Sequence, residues 1–124
     1  MIYRVDIDET ICNTPNDRDY SKAVPILRRI ILINELYDNG DTIIYWTARG
    51  TGSGIDWREV TEKQFEEWGV RYHELIFGKP VYDLFIDDKN INSDTFFENI
   101  ISLYIIYLCL IFVIIRIVTK FRHV

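Results

Sequence analysis

Six side chains stand out for the chemistry they could do: Asp6 and Asp8 in VDIDETIC, Thr47 in IIYWTARG, Lys79 in GKP, and the adjacent Asp87 and Asp88 in LFIDD. Each follows a short apolar run that reads as a strand, so acids, hydroxyl and ammonium can converge at one sheet edge. Carboxylates gathered this closely repel one another and need a cation, and an all-oxygen donor set favours a hard ion such as Mg2+. A lysine and a hydroxyl beside that ion suit a phosphoryl group, whose transfer depends on offsetting charge on its oxygens. A carboxylate can also attack phosphorus itself, giving an aspartyl-phosphate and splitting hydrolysis into two easier steps.

The elements that would position these groups alternate in type. Tyr3 to Ile7 reads as a first strand, followed by the polar segment NTPNDRDYSKA. A helix comes next, with Pro25 at a first-turn position, Ile26, Ile30, Ile33 and Tyr37 at helical spacing, and Gly40 as its stop. Thr42 to Trp46, β-branched and aromatic, is a second strand. After the loop GTGSG, Asp56 and Glu59 are spaced as a capping box opening a helix through Trp68, closed by Gly69. Leu75 to Phe77 and Leu84 to Ile86 are two further short strands. This order predicts an α/β fold, a Rossmann-like, mostly parallel sheet flanked by helices, with ligands bound beyond the carboxyl ends of its strands.

The 124 residues suffice for one hydrophobic core, and 14 Lys and Arg against 19 Asp and Glu give a formal charge of -5. No basic run precedes the C-terminal end, which argues against a nucleic-acid surface. Cys12 and Cys109 form neither a CxxC pair nor a disulfide framework, which fits a reducing cytosol, and MIYRVDIDE lacks the pattern of a signal peptide. The composition then shifts. Ile100 to Ile115 carries no charge and is followed by Arg116, Lys120, Arg122 and His123. At about 1.5 Å per residue this run spans roughly 24 Å as a helix, short of the ~30 Å hydrocarbon core, though Val118 extends the apolar reach. A boundary near Asn99 is therefore expected, with a catalytic domain over 1–99 and an apolar helical segment over 100–124 that serves as a membrane anchor or a packing helix. The basic residues after the run would keep the C-terminus inside and the domain outside, which conflicts with a cytoplasmic domain lacking a signal peptide.

DIDET, the Thr47 of IIYWTARG, the GKP lysine and FIDD together resemble, in order, the four motifs of haloacid dehalogenase-like phosphatases. The resemblance covers roughly residues 1 to 97, and is nearest to small capless hydrolases of capsular or surface-polysaccharide biosynthesis. It implies that Asp6 is the nucleophile and a Mg2+ ligand. Asp8 would protonate the leaving oxygen and then activate water, while its backbone carbonyl reaches the metal. Thr47 would hydrogen-bond the phosphoryl oxygens, Lys79 would pair with nucleophile and phosphoryl group, and Asp87 with Asp88 would complete the metal site. Glu9 stands where the family often has glycine. Thr10 matches a further motif position and shapes the turn.

Other residues admit competing readings. Arg49 is a candidate for binding a substrate anion, although a loop arginine pairs with a local acid as often. His73 lacks a second histidine at ligand spacing and reads as a surface or structural histidine. Trp57 and Trp68, near the two ends of one helix, suit core packing better than a sugar platform, and Cys12 reads as a buried small hydrophobe. Neither Ile11 to Val24 nor Ala48 to Gly78 leaves room for a cap domain, so the site should be open unless a subunit neighbour in a homo-oligomer covers it. The expected activity is a Mg2+-dependent phosphomonoester hydrolase acting on a sugar phosphate or glycan precursor. The alternatives are phosphoryl transfer to an alcohol and a noncatalytic, membrane-tethered protein that binds a phosphorylated ligand.

Overall fold

The computed structural model describes residues 1–122; His123 and Val124, the last two of the expected apolar segment, lie outside the described residues. In chain order the elements are β1 (Ile2–Val5), β2 (Cys12–Asn13), a single 3-10 turn (Tyr20–Lys22), β3 (Val24–Pro25), α1 (Leu27–Asp38), β4 (Thr42–Trp46), α2 (Arg58–Trp68), β5 (Glu74–Ile76) and α3 (Ser93–Phe121). They form two compact units, Met1–Phe85 and a second that begins at Ile86.

The first unit is built on a parallel sheet of order β1-β4-β5, in which Ile2 pairs with Thr42 and Val5 with Tyr45 on one side of β4, and Ile44 with Glu74 and Trp46 with Ile76 on the other. Side chains alternate faces along a strand, so the successive burial of Ile43, Ile44 and Tyr45 means that both faces of β4 are covered. One cover is α2, whose Phe65 meets Tyr45 edge-on with centroids 4.8 Å apart. From α1, Ile30 and Ile33 join the core. The Asn34 amide of α1 donates to Gly69 O (2.8 Å) and accepts from Arg71 N (2.9 Å), fixing the chain where α2 ends. Gly69, at φ 68°, takes the left-handed conformation of a helix C-cap, as expected.

The second strand falls on the residues expected for it, while both ends of the first (Ile2–Val5) and of the third (Glu74–Ile76) lie one or two residues from those expected. The capping box forms only in part: Asp56 Oδ1 accepts from Arg58 N at 2.9 Å, but the N-cap position belongs to Trp57, which makes no side-chain cap. Pro25 is not in the first turn of α1. It lies in β3, paired with Cys12 of β2, because a proline without an N–H fits the margin of so short a ladder as well as it fits a helix start. The stretch between Ile11 and Val24, expected as a bare loop, thus holds a two-stranded ribbon and a 3-10 turn, and no cap domain is inserted there.

The expected fourth strand, Leu84–Ile86, is not a strand. Its residues are exposed (75, 42 and 87 %), and among the described residues β1 pairs only with β4. Three apolar residues between Asp83 and Asp87 are too few to fix a register, and alternation gives no signal over so short a run.

In the second unit α3 begins at Ser93, with the Asn92 side chain accepting from Asp94 N at 2.9 Å. The boundary expected near Asn99 therefore falls inside a helix. Its 29 residues make it about 44 Å long. From Leu103 onward its large apolar side chains, apart from the half-buried Ile111, are exposed, and its length and composition are sufficient for it to cross a membrane.

Candidate active site

The site begins where β1 ends. Past Val5 the chain makes a tight turn in which the N–H groups of Thr10 and Ile11 both donate to Ile7 O (3.2 and 2.9 Å), with Ile7 wholly buried. Alternation about Ile7 sets Asp6 and Asp8 on the opposite side from it. Glu9, at φ 56°, occupies the left-handed region that costs a non-glycine residue strain, so the glycine common at this place in the resembling family has a conformational reason. Glu9 holds its conformation with side-chain bonds, accepting from Thr14 N (3.2 Å) and from Arg18 Nη1 (2.9 Å).

Lys79 arrives from β5. Its N–H donates to Thr47 O at 3.0 Å, and its carbonyl accepts from the Thr51 hydroxyl at 2.8 Å, so the end of β4 and the GTGSG loop both clamp its backbone. The ammonium reaches across the end of β4 to Asp6 Oδ1 at 3.4 Å and sits 5.7 and 5.6 Å from the ring centres of Trp46 and Tyr82. Burial pushes the Asp6 carboxyl above its ordinary value, and the Lys79 charge offsets only part of that rise. A carboxylate short of solvation is a better nucleophile than one in bulk water.

Asp8 is held differently. The Arg49 guanidinium grips it with two bonds, Nε to Oδ2 (3.0 Å) and Nη2 to Oδ1 (2.9 Å), and the Thr14 hydroxyl donates to Oδ1 as well. Arg49 is thus paired with the local acid. Of the two readings open for Arg49, this geometry shows the pairing with a local acid: its donors meet protein acceptors and its side chain is buried. Thr47, also buried, accepts from Arg49 N at 3.1 Å through its hydroxyl oxygen.

Asp6, Asp8, Arg49 and Lys79 share a cleft of about 580 Å³ whose walls include Tyr20, Trp57 and Tyr82. These three aromatic residues were not among the expected site residues. Trp57 read as core, yet it lines the cleft and meets Tyr20 edge-on at 5.1 Å. The tyrosines sit in polar or irregular stretches without periodicity, so no pattern marked them. The GTGSG loop is shaped by Gly50, at φ 82°, where a Cβ would lie 2.0 Å from Ile55 O.

Asp87 and Asp88 belong to the second unit, where both are exposed. Asp87 Oδ1 accepts from Lys89 N at 3.2 Å. A hydrogen bond between the two carboxyl groups holds Asp87 below its ordinary value and pushes Asp88 above it. Among the described residues no group of three or more His, Cys, Asp or Glu side chains is gathered as a metal centre. Two readings from the sequence hold. His73 is structural, its Nδ1 accepting from Ile43 N at 3.0 Å and its ring lying against Tyr37. Cys12 is buried, its thiol pushed up to about 12 by burial and by Asp8, and hence inert as a nucleophile.

No family model and no curated protein matches this sequence. Among solved structures, the chain is similar to a crystal structure of an MCSG target from Vibrio cholerae, at 26 % identity and a TM-score of 0.67, over 77 % of this chain and 85 % of that one. That likeness agrees with the α/β architecture of this chain, a parallel three-stranded sheet with helices.

Proposed function

We propose that this protein is a capless haloacid dehalogenase-like phosphatase, a Mg2+-dependent phosphomonoester hydrolase that works through an aspartyl-phosphate on Asp6. The observation that carries this reading is the Asp6–Lys79 pair, 3.4 Å apart beside Asp8 in one cleft at the carboxyl ends of β1 and β5. In the first step Asp6 attacks phosphorus, the bond to the leaving oxygen breaks, and that oxygen takes a proton from Asp8, which enters this step as the neutral acid with one carboxyl oxygen protonated and the other held by Arg49. In the second step Asp8 accepts a proton from water as it attacks the acyl phosphate, which releases inorganic phosphate and restores Asp6. Lys79 lowers the repulsion between the Asp6 carboxylate and the phosphoryl oxygens it approaches.

The donor chemistry fits a hard cation: the Asp6 carboxylate and the Asp8 backbone carbonyl are the first-unit oxygens that would hold Mg2+. When bound, the ion supplies positive charge to the phosphoryl oxygens. The absence of a cap leaves the cleft open to extended phosphoesters, which favours a sugar phosphate or glycan precursor, the class implied by the resemblance to capsular-polysaccharide hydrolases. Transfer to an alcohol acceptor would use the same two steps, with the alcohol in place of water.

The exposed α3 supports a membrane-associated location, because an apolar surface on all sides of a helix calls for a surrounding that is itself apolar on all sides. Flotation with liposomes tests that location, and the full chain should rise with the lipid. The test of the activity is phosphate release from an aryl phosphate and from a panel of sugar phosphates, nucleotides and phosphopeptides. Release should need Mg2+ and stop with EDTA. Binding of phosphorylated ligands without turnover would favour the noncatalytic tethered protein instead.

A further inference from the structure

We infer that Arg49 is a positioning residue that acts on the reaction only through Asp8, fixing that carboxylate in one orientation, and does not touch the substrate. The inference rests on the phosphatase reading of the cleft and names how one of its groups is controlled.

A guanidinium has five N–H donors in a rigid fork. In Arg49 all five have protein acceptors. Nε and one Nη2 donor hold the two oxygens of Asp8, the Nη1 donors go to Thr61 Oγ1 (3.0 Å) and Gln64 Oε1 (2.7 Å), and Nη2 also meets Cys12 Sγ at 3.8 Å. No donor is left to meet a phosphoryl oxygen unless one of these bonds breaks.

The acceptors are themselves locked. The Thr61 hydroxyl donates to Trp57 O at 2.8 Å, which turns its oxygen toward Arg49. Gln64 Nε2 donates to Tyr20 O at 2.6 Å, which fixes the amide so that its oxygen faces the guanidinium. The Tyr20 ring lies over the guanidinium carbon at 4.9 Å. The orientation of Asp8 is therefore set by α2, through Arg49, and by the two cleft aromatics Tyr20 and Trp57 whose backbones accept the locking bonds. Thr14 completes the grip from the β2 side. Lysine keeps the charge of Arg49 but cannot reproduce a two-pronged bond, so Arg49→Lys separates orientation from charge.

The test is a double-mutant cycle on the full chain in mild detergent: wild type, Asp8→Asn, Arg49→Lys and the double variant, each assayed on an alkyl and an activated aryl phosphate and each melted. If Arg49 acts through Asp8, Arg49→Lys lowers kcat about 10- to 100-fold on the alkyl ester, much less on the aryl ester, leaves KM within about threefold, and costs nothing further in the Asp8→Asn background. Losses that multiply in the double variant, or a raised KM with unchanged kcat, would overturn the inference by placing Arg49 on the substrate. The melting cycle reads the Asp8 grip without turnover: the two single losses in Tm should exceed the loss in the double variant, and additive losses would overturn the grip. A wild type that releases no phosphate would sink the phosphatase reading, and the melting cycle alone would then decide the anchoring. If Arg49→Lys does not fold, Gln64→Met, which removes one acceptor and leaves Arg49 and Asp8 in place, is run through the same cycle with smaller effects of the same sign.

Discussion

The two units of this chain treat polarity in opposite ways. In Met1–Phe85 a set of polar side chains is buried with partners: Arg49, Thr47, Thr61 and Gln64 lie out of solvent and hydrogen-bond to one another or to backbone. In α3 from Leu103 onward most apolar side chains face outward, with Leu103 at 67 % and Phe112 at 58 % exposure. Composition alone would assign the interior to the second region and the surface to the first. What decides is partnering: a buried donor with an acceptor costs little, whereas a helix apolar on every side has no face to turn inward.

The difference can be broken from either side. The largest expected effect is in the cleft, where Asp6→Asn should lower phosphate release by at least about 10³-fold, because it removes the attacking oxygen. Next, cutting the chain after Asn99 should remove the need for detergent while phosphatase activity persists. Loss of activity together with aggregation would instead make α3 part of the catalytic fold. Smaller effects probe the polar interior. Gly50→Ala meets both a positive φ and the Ile55 carbonyl and should cost about 1–3 kcal/mol in a melting experiment, with activity reduced as the loop shifts off Lys79.

Two substitutions should raise stability. The Tyr45 hydroxyl is buried and has no partner among the described residues, so Tyr45→Phe should gain up to about 1 kcal/mol. Asp6 carries a carboxyl raised above its ordinary 3.8 by burial, so its ionisation opposes folding at neutral pH. The sign is that of an acid raised on folding: the cost is full above the folded-state pKa and vanishes below 3.8. In EDTA, Asp6→Asn should therefore raise Tm at pH 7, and the gain should fade as the pH is lowered through that window. A variant that melts lower at pH 7 would show that the Lys79 pair outweighs burial.

Much of this was legible before the structure. β4 was readable residue for residue because a run of Ile, Ile, Tyr and Trp between turn signals is an unambiguous strand, and α2 was readable from Gly69 at its end. Asp6, Asp8 and Lys79 were legible because each follows a strand, and strand ends put residues far apart in sequence into one cleft. The Leu84–Ile86 run was misread because a three-residue apolar stretch carries no periodicity. For Arg49 two readings stayed open, because its partners Thr61 and Gln64 are set one turn apart on α2, and only the packing of that helix shows that they meet a side chain from the loop after β4. Tyr20 and Tyr82 were missed because cleft walls built from irregular segments have no signature in one dimension.

The most direct measurement of the central claim is to quench the full chain with acid during turnover of an activated aryl phosphate in Mg2+ and map phosphate by mass spectrometry. A phosphoryl group on the peptide containing Asp6, converted by borohydride into homoserine at that position and absent from Asp6→Asn, is the predicted result. Turnover that continues with no covalent phosphate, or with phosphate on a residue other than Asp6, would contradict the account.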